Sequence, residues 1–346
     1  MPSKSRASRI RLNTNHMKTQ FFRSTLLAFC LLLALGCFGQ STSKVSIGLV
    51  GDSTDVKTKT EFGVVLMGGS TDVDEALQWM IKKSGGGDFV IIRASGSTGY
   101  NDYIKELGNA NSVETLLIDS HEKAQRKTTG DRIRNAEALF IAGGDQSNYV
   151  KLWKDTEVSE AIRFLIDVKK VPIGGTSAGC AVLSDYIFDA AKGSVTSVEA
   201  LSNTYDTLVS VTKSFIGIPI LKNVIADQHY SQRNRQGRHV VFLARMIKDL
   251  GVVSPKGIGV DEKTAVCIDE SGSMKVFGKG TAYFLSAEKL PEQCEAGKKL
   301  NWNNQQKAIR IISFQATKEG TPAFNLSAWP KTANNYWYVE EGVLVM

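Results

Sequence analysis

VPIGGTSAGCAVLSD, residues 171–185, carries a short apolar run into two glycines, then Thr-Ser-Ala-Gly, then a second apolar run with helical spacing. Val171 to Gly174 read as a buried strand. The small residues Ala178, Gly179 and Cys180 suit a helix that starts at once and packs close to the strand it leaves. A strand feeding directly into a helix exposes one side chain on a sharp turn, the geometry of a nucleophile elbow, and Ser177 is the residue so presented. A tight strand-to-helix turn without chemistry has the same local pattern, so the rest of the chain has to distinguish them.

Outward from this stretch the pattern alternates. VVLMGG (64–69), DFVIIRAS (88–95), a strand at Val113 to Ile118 and ALFIAGG (138–144) read as strands. Between them, Asp72 to Lys83, Tyr100 to Leu107, about Glu122 to Asn135, and Ser147 to Lys170 read as helical. Nearly all-apolar strands separated by helices predict a parallel sheet covered on both faces, a doubly wound α/β fold. Ligands in such sheets sit at the strands' carboxyl ends, where GGDQ (143–146) and GGTSAG (174–179) both fall. Beyond residue 190 the alternation weakens, with a strand near Asn223 to Ala226, a helix from about Gly237 to Leu250 and shorter strands through Leu285. KAIRIISF and the terminal YVEEGVLVM read as antiparallel edge or accessory structure. The expected organisation is a catalytic α/β domain over 40–290, with 291–346 as an extension of it.

The first thirty-nine residues differ in kind. Lys4, Arg6, Arg9, Arg11, Lys18 and Arg23 precede the apolar LLAFCLLLALGCFG (26–39), with no acidic residue among them. Basic, then apolar, then small is the order of a secretory signal peptide, and the apolar run is too short to favour a membrane span. Cleavage after Gly39 is expected, with Met17 as an alternative start. Processing before Cys37 as a lipoprotein is the competing reading, although Ala34-Leu35-Gly36 reverses the usual lipobox order. The expectation is an exported protein, periplasmic or extracellular.

Removing the six leader cations takes the formal charge from +7 to +1. The remainder has no basic cluster with interleaved aromatics, so neither nucleic acid nor an anionic membrane is an expected partner. Cys180, Cys267 and Cys294 remain, an odd number that allows at most one internal pair, Cys267 with Cys294. No spacing resembles a zinc site, and no metal or cofactor is expected.

A serine hydroxyl needs a base, ordinarily a histidine oriented by a carboxylate. Of His121, His229 and His239, His121 opens a polar helix and His239 lies within a helical stretch beside Arg238. His229 follows the strand NVIA and so emerges at a strand's end. It is followed by Arg233, Arg235 and Arg238, whose planar forks suit carboxylates.

GGDQ (143–146), GTSAG (175–179), DQHYSQRNRQGR (227–238) and GIGVDEKTA (257–265), in this order, resemble the serine peptidase family of cyanophycinase and aspartyl dipeptidase, and more closely its cyanophycinase branch. The resemblance implies a modified flavodoxin-like fold related to class I glutamine amidotransferases. It implies Ser177 as nucleophile, His229 as base and Glu262 as third member, with Asp261 the alternative that spacing leaves open. Ala178 and Gly144 would supply oxyanion N–H groups. Gln146, Asp227, Gln228, Arg233, Arg235 and Arg238 would surround the substrate. That substrate would be cyanophycin, a polyaspartate bearing amide-linked arginines, or an aspartyl-arginine peptide, and the enzyme a homodimer. A dipeptidase for aspartyl or isoaspartyl peptides, or an idle binding protein on the same fold, are the rival readings.

Overall fold

A computed structural model describes residues 44–326, 329 and 335–346. The expected leader lies outside the described residues.

Five strands form the parallel heart of the first sheet: β2 (Gly63–Met67), β3 (Phe89–Arg93), β4 (Ser112–Leu117), β5 (Ala138–Ile141) and β6 (Pro172–Thr176), in the spatial order β4-β3-β5-β6-β2. This is the alternating α/β architecture expected from the apolar runs. Antiparallel strands extend both edges: β1 (Ser46–Gly51) beside β4, and β11 (Thr264–Asp269), β12 (Ser273–Gly278) and β15 (Thr321–Asn325) beyond β2. β1 has no counterpart among the expected strands: it lies at the sheet's edge with none of its six residues fully buried, and its apolar residues Ile47, Leu49 and Val50 are interrupted by Gly48 and followed by Gly51.

The weaker pattern after residue 190 forms a second sheet. Its parallel centre is β7 (Tyr186–Phe188), β9 (Val224–Gln228) and β10 (Lys256–Val260). Beside these run β8 (Val211–Lys213) on one side and, on the other, β13 (Thr281–Ala287), β14 (Ile309–Gln315), β16 (Asn335–Glu340) and β17 (Val343–Val345), all antiparallel. KAIRIISF therefore supplies a strand on β13, and the terminal segment a hairpin at the sheet's edge.

Strand alternation distributes the side chains over three cores. Val65 and Met67 of β2 face α1 (Asp74–Lys83), whose Ala76, Leu77, Met80 and Ile81 recur at helical spacing. Asp74 and Glu75 in its first turn and Lys82 and Lys83 in its last complement the helix dipole. Val64 and Leu66 face the opposite way, into a core shared with Val224, Ala226, Ile258 and Val260 of the second sheet. The outer face of that sheet is covered by α9 (Gln236–Leu250), through Val240, Leu243 and Ala244.

The remaining helices are α2 (Tyr100–Leu107), α3 (His121–Gln125), α4 (Lys127–Asn135), α5 (Gln146–Trp153), α6 (Glu157–Phe164), α7 (Ala178–Leu183) and α8 (Ser197–Ser202). The single helix expected over 122–135 is two, separated by Arg126 in extended geometry (φ −71°, ψ 126°). Ala124 and Ile133 are nine residues apart, half a turn out of phase on a continuous helix, yet both are fully buried in one core. The break lets both reach it.

Cys267 and Cys294 do not pair. Each is a buried free thiol, and they sit in different cores, one on the α1 side of the first sheet and one under α9. Among the described residues no helix is long and apolar enough to cross a membrane.

Candidate active site

Ser177 stands between β6 and α7 with φ 52° and ψ −117°, a backbone conformation that side chains other than glycine rarely adopt. Its N–H donates to the carbonyl of Met67 (3.1 Å), which ties the turn to the end of β2. The helix leaving the turn passes so close to β5 that a Cβ on Gly179 would lie 2.0 Å from the carbonyl oxygen of Ile141. No larger residue fits there, which explains the second glycine of GTSAG. Cys180 is fully buried in α7, where burial pushes its thiol well above the ordinary range, so it is a packing residue.

His229 terminates β9 with φ 47°, its N–H donating to the carbonyl of Gly68 (2.8 Å). One ring nitrogen, Nε2, is 2.8 Å from Ser177 Oγ; the other, Nδ1, is 2.7 Å from Glu262 Oε1. A carboxylate accepts, so Nδ1 carries the hydrogen and Nε2 is left to accept from the serine hydroxyl. Burial lowers the imidazole's pKa below its ordinary value; Glu262 opposes this, and the charges of Arg233 and Arg235 add to it. The hydrogen bond from His229 holds the Glu262 carboxyl below its ordinary range, with Ser70 contributing a further bond.

The two neighbouring acids have different surroundings. Asp261 is buried and its oxygens accept from the backbone N–H groups of Ser231 (2.8 Å) and Thr281 (3.1 Å). Glu262, on the turn from β10 to β11, is the one that reaches the histidine.

One segment was not singled out from the sequence. Gly68, Gly69 and Ser70 follow β2 and join the parts of the site: Gly68 accepts from His229, and Gly69 accepts from the N–H of Lys263 (3.1 Å). Gly69 has φ +98°, and a Cβ there would lie 2.6 Å from Cε1 and Nε2 of His229 and 3.1 Å from Cβ of Ser177. The available signal was that MGGS repeats the form of IAGGD and IGGTS, an apolar strand ending in two glycines.

Gly144, Asp145 and Gln146 at the start of α5, Ala190, Gly193 and Ser194, and Gln228 with Arg233, Arg235 and Arg238 enclose a cleft of about 280 Å³ with Ser177 and His229. Ala178 is the first residue of α7, so its N–H is among those without an intrahelical acceptor. Gly143 borders the serine, its missing Cβ being 3.5 Å from that of Ser177. The Gln146 amide donates to the Phe188 carbonyl (3.4 Å). Gln228 is buried, and its Oε1 meets no donor among the described residues. Arg233 is exposed and pairs with no carboxylate among them. Asp227 lies beneath, 1 % exposed, with its carboxylate engaged by Arg238 and Arg235.

The other histidines stand apart. His121 is exposed at the start of α3, and His239 is buried, its Nδ1 bonded to Tyr230 Oη (3.0 Å) and its Nε2 to the Ile225 carbonyl (3.2 Å).

Among known proteins, the chain is 31 % identical over 183 residues to the cyanophycinase of Synechococcus elongatus, covering 53 % of this chain and 51 % of that protein. It is 28 % identical over 238 residues to the cyanophycinase of Geminocystis herdmanii (strain PCC 6308), covering 66 % and 81 %. The chain thus spans about half the length of the first of these relatives and about four-fifths of the second. A solved peptidase from an acI-B1 Actinobacterium superposes with a TM-score of 0.48 at 18 % identity, over 74 % of this chain and 98 % of the other. The sequence profile of Peptidase family S51 matches residues 64–276, a span that holds Ser177, His229 and Glu262. With more than half of its 346 residues inside that match, the chain belongs to peptidase family S51.

Proposed function

We propose that this protein is an exported serine-type exopeptidase that hydrolyses cyanophycin to β-Asp-Arg dipeptides. The observation that carries the reading is the continuous relay from Ser177 Oγ to His229 Nε2 (2.8 Å) and from His229 Nδ1 to Glu262 (2.7 Å), in a chain of this family. In the proposed reaction Ser177 Oγ attacks the amide carbonyl while His229 Nε2 takes its proton. The N–H groups of Ala178 and Gly144 hold the oxyanion, each such donor typically contributing roughly 3–4 kcal/mol. His229 then protonates the leaving amine, and a water, deprotonated by the same nitrogen, hydrolyses the ester on Ser177.

The substrate class follows from charge. Arg233, Arg235 and Arg238 line the cleft with the carboxylate of Asp145, and Asp227 beneath offsets one of the two cations it touches, so these five groups keep one positive charge in excess, with Arg233 lacking a carboxylate partner among the described residues. A cleft with that balance favours the free carboxylates of a polyaspartate backbone, and Gln146 and Gln228 add uncharged polar groups. The order of charges and apolar residues over 1–39 supports export, and homodimer assembly belongs to the same proposal.

The test incubates the chain from Gln40 onward, and its Ser177→Ala variant, with insoluble cyanophycin and follows soluble products by mass spectrometry. The expected result is β-Asp-Arg from the first and none from the second. Cleavage of small isoaspartyl peptides without release from the polymer would replace the reading with a dipeptidase.

A further inference from the structure

Of the three arginines after His229, Arg238 is the most completely engaged. It is 1 % exposed, and four of its five N–H groups have protein acceptors. Nε and Nη2 form a two-pronged contact with Asp227 Oδ2 (2.8 Å) and Oδ1 (2.6 Å). Nη1 donates to Ser194 Oγ (3.2 Å) and to the Val195 carbonyl (3.1 Å). The guanidinium lies over the rings of Phe188 (5.0 Å) and Phe242 (5.7 Å). Asp227 is equally occupied, since Oδ1 also accepts from the Gln228 N–H (3.0 Å).

The two residues reached by Nη1 belong to a stretch with no regular secondary structure, from Asp189 to Thr196, which forms one wall of the cleft through Ala190, Gly193 and Ser194. Ala191 to Ser194 are exposed, so apolar burial does little to hold them. The next residue along, Ser197, accepts from the Arg238 N–H (3.0 Å) and donates to the Asn234 carbonyl. Arg238 therefore joins the end of β9 to that wall through its side chain, and to the start of α8 just beyond the wall through its backbone.

We propose that Asp227 and Arg238 are a positioning clamp that holds the 189–195 wall against the cleft and so sets substrate affinity, instead of acting as ligands for the substrate's arginine. A substrate guanidinium arriving at Asp227 would have to displace Arg238 from a site closed to solvent, whereas Arg233 is exposed and without a carboxylate partner among the described residues. The inference rests on the cleft being the substrate site proposed above.

The test uses the whole chain with Asp227→Asn, Arg238→Lys and Ser194→Ala. Hydrogen exchange over 189–197 should accelerate about tenfold in the first two and less in the third, with α7 unchanged. On matched aspartyl-arginine and aspartyl-lysine substrates, KM should rise about tenfold for both alike while kcat stays within about threefold. Asp227→Asn erasing the preference between arginine and lysine, with loop exchange unchanged, would make Asp227 a substrate ligand and overturn the clamp. Should the two charge variants fail to fold, Ser194→Ala still decides, because it loosens the wall and leaves the ion pair intact; unchanged exchange there overturns the proposal. A wild-type chain that cleaves neither substrate overturns the substrate reading, and the exchange measurement still decides the clamp.

Discussion

Nδ1 of His229 lies 2.7 Å from Oε1 of Glu262, while the carboxylate one residue earlier, Asp261, is turned into the protein to accept two backbone N–H groups. Two adjacent acids thus have different partners, and substitutions should separate their effects. Glu262→Gln should lower kcat about a hundredfold or more and leave the unfolding temperature nearly unchanged, because its side chain is a quarter exposed. Asp261→Asn should cost about 1–3 kcal/mol of stability, since the amide leaves one buried backbone donor poorly matched. Measured kcat and thermal unfolding for the pair check this; the reverse assignment of effects would show that Asp261 orients the imidazole.

Ser177 carries a positive φ as well as the hydroxyl. Ser177→Ala and Ser177→Gly should each reduce turnover by at least about a thousandfold. The glycine variant should nevertheless be the more stable of the two by roughly 1 kcal/mol, because it relieves the left-handed backbone. Urea unfolding of both variants reads the difference, and equal midpoints would show that the turn is not strained.

Catalysis should persist to lower pH than an ordinary histidine allows. In the proposed reaction His229 must be neutral to take the serine proton, and burial together with Arg233 and Arg235 favours the neutral ring. The acid limb of kcat/KM should therefore fall below pH 6.5. Arg233→Ala removes one opposing charge and should move that limb upward; a pH–rate profile that does not shift would remove Arg233 from the electrostatics of the base.

Stability in acid should depend on His239. Burial depresses its pKa to about 4, whereas an unfolded histidine titrates near 6.5. Above pH 6.5 both states are neutral and the full stability is present. As the pH falls from 6.5 to 4 only the unfolded state gains the proton, so folding loses roughly 3 kcal/mol across that window. His239→Gln should flatten the slope of unfolding free energy between pH 7 and 4, and an unchanged slope would place the acid sensitivity elsewhere.

Gly69→Ala should impair both folding and activity. The new methyl would meet the His229 ring at 2.6 Å from a backbone at φ +98°, so either the ring or the turn must move. A loss of about 1–3 kcal/mol and a tenfold or greater fall in kcat/KM are expected. Full activity in this variant would show that the ring tolerates displacement.

What the sequence by itself determined was the local grammar. The apolar runs and helical spacings specify a parallel α/β sheet, because burial on both faces leaves a continuous apolar run that can be read without knowing the partner strand. Small residues around Ser177 specify a sharp turn, since only they let α7 start against β5. The position of His229 at a strand's end was legible from the apolar run NVIA that precedes it. The tertiary structure decided what depends on distant segments: the second sheet built from the weakly patterned half, and the break at Arg126 that brings Ala124 and Ile133 to one core. It also decided the separation of Cys267 from Cys294 and the engagement of Arg238 with Asp227. Glu262 over Asp261 is the sharpest case. Asp261 leaves the end of β10 and Glu262 lies in the turn that follows it, so the path of that turn determines which acid meets the histidine. That path is set by the pairing of β10 with β9 and β13, and by the anchoring of Gly68 and Gly69 to His229 and Lys263, contacts far apart in the chain that no local window of sequence contains.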